Sequence, residues 1–89
     1  MSVAWTLNGL AATTAAKGEL DRAARLNGMA AAMLSRAGGE WPPDEREQYD
    51  ETLSTITAGL PPEVLKRCLA EGAAMTLRDG VAYALKVSS

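Results

Sequence analysis

The most constraining feature of this chain is a pair of alanine-rich segments in residues 2–37, divided by Gly18. Apolar and small residues recur every three or four positions in both segments, which is the spacing of one helix face. Lys17 before Gly18 is typical of a helix end, because a cation suits the last turn and glycine adopts the left-handed conformation beyond it. The pattern predicts an antiparallel hairpin whose small side chains let the two helices pack closely.

Three more helices are predicted beyond the hairpin. Gly38 and Gly39 end the second helix, and proline pairs precede the third and fourth, where a proline fits the first turn. Thr76 and Asp79 have the spacing of a capping box for the fifth. The predicted helices are 2–17 (or from Val3), 19–36, 44–58, 62–74 and 77–86.

The predicted fold class is therefore all-α. One five-helix domain spans residues 1–89, with the hairpin in 1–37 and a three-helix part in 44–89, and the short connections predict antiparallel neighbours. The apolar sides of the predicted helices include the following residues: Val3, Leu7, Leu10, Ala11, Thr14 and Ala15; Leu20, Ala23, Ala24, Asn27, Ala30 and Leu34; Tyr49, Leu53, Ile56 and Leu60; Val64, Leu65, Cys68, Leu69 and Gly72; Leu77, Val81, Ala84 and Leu85. Gly72 and Gly80 are expected at close-packing points, and Met29, Met33 and Met75 as core filler.

Composition argues against several function classes. The chain has no histidine, so the commonest general base and metal ligand are missing. Its single cysteine, Cys68, lies on an apolar helix face and is expected to be a buried structural residue. A net charge of −2 does not favour direct binding to nucleic acid, and no apolar run approaches the length of a membrane span. We therefore expect a cytoplasmic, non-catalytic protein without cofactor or metal.

Two features leave alternatives open. The acidic run that contains Asp44, Glu47, Asp50 and Glu51 is expected to be a solvated helix start, with a calcium or magnesium site as the alternative. Trp41 is expected to fill a gap between helices rather than to anchor a partner. Trp5 either packs within the first helix or faces a partner. The two tryptophans are the candidate partner-binding residues.

The hairpin resembles a tetratricopeptide repeat. Six residues fall at the spacing of that signature: Leu7, Leu10, Ala11, Gly18, Ala23 and Ala30. Thr14, Asn27 and Ser35 stand where the repeat carries aromatic residues and its closing proline, so the repeat is degenerate. The resemblance implies that Ala11, Ala23 and Ala30 let the two helices touch.

A longer resemblance rests on residues 17–31, on Pro42-Pro43-Asp44-Glu45-Arg46 and on residues 68–85. These segments are similar to the C-terminal helical part of actinobacterial MalT-like and LuxR-type transcription regulators, some of which carry an ATPase or adenylate cyclase domain. The resemblance implies a sensor or interaction module that couples an effector or protein partner to neighbouring domains. The family's nucleotide-binding and cyclase residues have no counterparts in this chain. A small stand-alone adaptor, an acidic metal-binding protein and a homodimer formed through Trp5 are the alternatives.

Overall fold

The computed structural model describes residues 3–88, except for the side chains of residues 77, 87 and 88, and this part of the chain folds into five α-helices. They are α1 (Val3–Ala16), α2 (Leu20–Arg36), α3 (Pro43–Gly59), α4 (Pro62–Ala74) and α5 (Leu77–Ser88). The all-α prediction is confirmed, and residues 3–88 contain no strand. The predicted helix bounds differ by at most two residues, apart from the proposed start at Ser2, which lies outside the described residues.

Glycine ends the first two helices as predicted. Gly18 and Gly38 have φ angles of +84° and +70°. After α1, the Gly18 N–H donates to the carbonyl of Ala15 and the Glu19 N–H to that of Thr14. Gly38 and Gly39 repeat this pair of hydrogen bonds after α2. Each glycine therefore satisfies carbonyl groups that a helix end leaves without partners.

Helices α1 and α2 form the predicted antiparallel hairpin. Ala15, near the end of α1, packs in one cluster with Ala23 and Ala24 near the start of α2. The earlier α1 residues Leu7 and Ala11 pack in a second cluster with later α2 residues: Leu26, Met29 and Ala30. The reversed order along the two helices makes them antiparallel. Ala11, Ala23 and Ala30 are fully buried, in agreement with the predicted packing through small residues.

The buried face of α1 differs from the prediction at its start. Val3 is exposed, whereas Ala4 and Asn8 are buried. The apolar and small residues of α1 are spread around the whole helix, and its sequence contains no charged side chain. Periodicity could not select the buried face here, because both faces are similarly apolar.

The most extensive helix contact joins α2 and α4, which are not consecutive. A β-carbon on Gly28 would collide with the backbone of Leu69, and one on Gly72 with the backbone of Arg25. The close-packing role of Gly72 is confirmed, whereas that of Gly28 was not anticipated. Helices α3 and α4 touch only slightly despite their short connection, because α3 packs on α1 and α2 whereas α4 packs on α2.

Helix α5 begins at the predicted cap. The Asp79 N–H donates to Thr76 Oγ1 over 3.1 Å, as a capping threonine does. Gly80 lies against the side chains of Met29 and Met33, which agrees with the close packing expected there. No helix within residues 3–88 is long and apolar enough to cross a lipid bilayer.

Candidate functional site

An apolar groove of about 360 Å³ separates α1 from α5. Among the described residues, its walls carry no charged side chain, and Thr6 is the only polar one. The lining residues are Val3, Thr6, Leu7, Leu10, Val81, Ala84 and Leu85. An uncharged concave surface of this kind recognises apolar side chains.

The exposed large hydrophobic residues of the described chain lie on the two helices that form this groove. Val3, Val81 and Leu85 line it and are 45%, 40% and 65% exposed. Trp5, on α1, is 40% exposed and lies outside the groove lining. An apolar patch that is concentrated on one face marks an interaction surface more often than isolated apolar residues do.

The groove exists because α5 covers α1 only in part. Tyr83 and Ala84 pack against the cluster formed by Leu7, Ala11, Leu26, Met29 and Ala30. Val81 and Leu85 belong to the same predicted apolar side of α5, but they remain exposed. The uncharged surface of α1 lies across the groove from Val81 and Leu85.

Trp41 lies elsewhere, in the connection between α2 and α3. Its ring stacks on Tyr49 of α3, with centroids 5.4 Å apart, and it packs against the cluster around Leu26 and Met29. Burial is the main cause that raises the pKa of Tyr49 above its ordinary value, and the nearby Asp50 carboxylate adds to it. This packing agrees with the gap-filling interpretation of Trp41. Partner binding by Trp5 or Trp41 stays a prediction.

A second cavity, of about 340 Å³, lies on the other side of α5, between that helix and α2. It is lined by Asp21, Arg22, Arg25, Tyr83 and Lys86. The hydroxyl group of Tyr83 is buried and has no hydrogen-bond partner in the described part of the chain. The contact between Tyr83 and the Arg25 guanidinium is the main cause that raises the pKa of Arg25 above its ordinary value.

The acidic run forms the first turns of α3. Within the described residues, no three carboxylate or thiol side chains come together in a group that could hold a metal ion. Asp50 instead pairs with Arg46 at 3.3 Å. The buried position of Cys68 is confirmed, because the residue is fully inaccessible.

Sequence analysis missed both cavities. The sequence shows that α1 has no charged residue. It does not show that α5 lies beside α1, and only that position makes the uncharged surface one wall of a groove. The cations of the second cavity come from both α2 and α5, and nothing in either segment shows that they meet. Thr14 and Asn27, two of the three departures from the tetratricopeptide pattern, are buried polar residues.

Comparison with protein-family models, with curated proteins and with solved structures finds no match to this chain.

Proposed function

We propose that this protein is a non-catalytic interaction module whose α1–α5 groove receives the apolar face of a helix from a protein partner or a neighbouring domain. The observation that carries the proposal is the concentration of exposed large hydrophobic side chains on α1 and α5. Leu85 and Val81 stand one helical turn apart on one wall, and Val3 stands on the other. A helix with apolar residues three and four positions apart matches such a surface.

The chemistry of the groove favours an apolar occupant. Burial of apolar surface contributes roughly 25 cal/mol per Å², and the lining offers few groups that would need a polar partner. A helix satisfies its own backbone hydrogen bonds, whereas an extended peptide needs a sheet edge or side-chain partners. We therefore expect a helical partner rather than an extended one.

We further propose, from the resemblance of residues 17–31 and 68–85 to MalT-like and LuxR-type regulators, that the module belongs to transcription regulation. In that role, a partner that binds one arrangement of α1 and α5 better than another shifts the population of the arrangements. A neighbouring domain in contact with α5 would then respond. The all-helical architecture and the hairpin of α1 and α2 support this proposal.

Selection from a displayed library of 20-residue peptides tests the groove. We expect the enriched peptides to share apolar residues at helical spacing. Binding should fall at least tenfold for Leu85→Asp and Val81→Asp, because each places a charge in an apolar site. The control Ala70→Asp adds the same charge to an exposed position on α4 and should bind normally.

Two outcomes would contradict the proposal. The enriched peptides could lack apolar residues at helical spacing, or the Leu85→Asp and Ala70→Asp variants could bind the peptides equally well. Light scattering on the unliganded protein is a parallel measurement. A dimer mass that Leu85→Asp reduces to a monomer mass would identify a second copy of the chain as the occupant.

A further inference from the structure

We infer that the cavity between α2 and α5 binds a small molecule carrying phosphate or carboxylate groups, with Arg22, Arg25 and Lys86 as the charged contacts and the Tyr83 hydroxyl as a further donor. This site is separate from the apolar groove and does not depend on the function proposed for that groove. The volume of about 340 Å³ lies within the range of small-molecule sites.

The charge of the lining favours an anion. Three of the five lining side chains are cations and one, Asp21, is a carboxylate, in a chain whose net charge is −2. Clustered cations of this kind bind phosphate and carboxylate groups. Asp21 opposes an anion, and its contribution can be measured separately.

Arg25 is the central donor of the site. Within residues 3–88, its hydrogen bond to the Glu71 carboxylate is long at 3.4 Å, and its ion pair with Asp21 measures 3.7 Å. Charge-assisted hydrogen bonds of good geometry are about 2.7–2.9 Å long. The carboxylates of Asp21 and Glu71 are also 57% and 48% exposed, so water screens both pairs. A planar guanidinium with five N–H groups keeps donors for a ligand.

Tyr83 supplies the second observation. Its buried hydroxyl has no acceptor, and leaving a buried polar group unsatisfied is unfavourable. A ligand oxygen that enters between Tyr83 and Arg25 would accept from both. Arg22 lies at the exposed rim and pairs with Glu19 at 2.6 Å, so a ligand there competes with that carboxylate for the guanidinium.

Pyrophosphate and citrate are the probes, because they separate phosphate-bearing from carboxylate-bearing ligands. Each is titrated into labelled protein at constant ionic strength and followed through amide shifts in two-dimensional NMR spectra. We expect saturable shifts confined to α2 and α5 with at least one probe, at a dissociation constant below about 1 mM. Shifts in neither titration, or shifts spread over all helices, would overturn the inference.

Matched variants locate the binding. Arg22→Gln and Lys86→Gln should each weaken it at least threefold, whereas Arg46→Gln, which removes the same single charge from α3, should leave it unchanged within twofold. Tyr83→Phe should weaken it at least twofold, because it removes the hydroxyl donor and keeps the ring. Asp21→Asn should strengthen binding more than Asp44→Asn does. Equal effects of the site variants and their α3 controls would show general charge attraction and refute the site.

Discussion

The side chains of Asn8 and Asn27 are both completely buried, but they differ in their hydrogen bonds. The Asn8 side-chain N–H group donates over 3.0 Å to both the backbone carbonyl and the carboxylate of Glu45 and so joins α1 to α3, whereas its Oδ1 has no partner among the described residues. Neither polar atom of the Asn27 side chain has a partner among the described residues. A buried amide without hydrogen bonds opposes folding, whereas one with good partners does not.

The first prediction compares Asn27→Ala with Asn8→Ala. Both changes add the same helix propensity, but the first removes an unsatisfied amide and the second removes two hydrogen bonds. We expect Asn27→Ala to raise the free energy of unfolding by about 1 kcal/mol and Asn8→Ala to lower it by a similar amount. Urea denaturation measures both. A loss of stability in Asn27→Ala would show that the amide has a polar partner, such as a buried water molecule.

At the scale of the helix, the second prediction concerns the end of α1. A β-carbon on Gly18 would meet nothing within 4 Å, and the same holds for Gly9 in the middle of α1. Only the backbone conformation therefore distinguishes the two sites. Gly18→Ala should destabilise the fold by about 1 kcal/mol, because φ is positive there, whereas Gly9→Ala should stabilise it by about 0.5–1 kcal/mol. If the two substitutions shift the melting temperature in the same direction, the prediction is contradicted.

The third prediction concerns the crossing of α2 and α4. A β-carbon on Gly72 meets the rigid backbone of Arg25, whereas one on Gly80 meets the flexible side chain of Met29. Gly72→Ala should therefore cost about 1–3 kcal/mol of stability, and Gly80→Ala less than about 1 kcal/mol because the methionine can move. Chemical denaturation of the two variants tests the difference. If Gly72→Ala costs no more than Gly80→Ala, the close crossing is wrong.

The helix bounds could be predicted because their determinants are local. Gly18, Gly38 and Thr76 act on the turn beside them, and a proline at the start of a helix restricts only its neighbours. The α2–α4 contact could not be predicted, because Gly28 and Gly72 are far apart in the sequence: Gly72 could be predicted as a close-packing point, but the helix that packs against it could not. Only the contact between α2 and α4 explains why both positions carry glycine.

Contacts between distant segments also supply hydrogen-bond partners for helix ends, and these partners cannot be predicted from the local sequence. Arg36, in the last turn of α2, donates over 2.8 Å to the Ala73 carbonyl at the end of α4. A cation there satisfies a carbonyl group that the helix leaves open and interacts favourably with the helix dipole. The sequence places Arg36 correctly at the end of its own helix, but it does not show that the side chain serves another helix.

At the scale of the whole molecule, α2 is the element on which the fold is built. It contacts all four other helices, whereas the described residues of α5 make small contacts with α2 and α1. Cavities lie on both sides of α5, one against α1 and one against α2. The apolar groove and the cation-lined cavity therefore both depend on how firmly this one helix is docked, which periodicity within α5 does not reveal.

The last prediction follows from this uneven packing. Regions with few buried contacts open at a lower free energy than the whole fold, so amide hydrogen exchange should be slowest in α2 and faster in α5. We expect α5 to open at a free energy at least about 1 kcal/mol below that of global unfolding. Tyr83→Ala should speed exchange in α5 far more than in α2, because Tyr83 packs against the cluster around Leu7 and Met29. Lys66→Ala, at an exposed position on α4, should alter neither helix. If α5 and α2 exchange at the same free energy in the unaltered protein, all helices unfold as one unit, and the groove cannot change shape without loss of the fold.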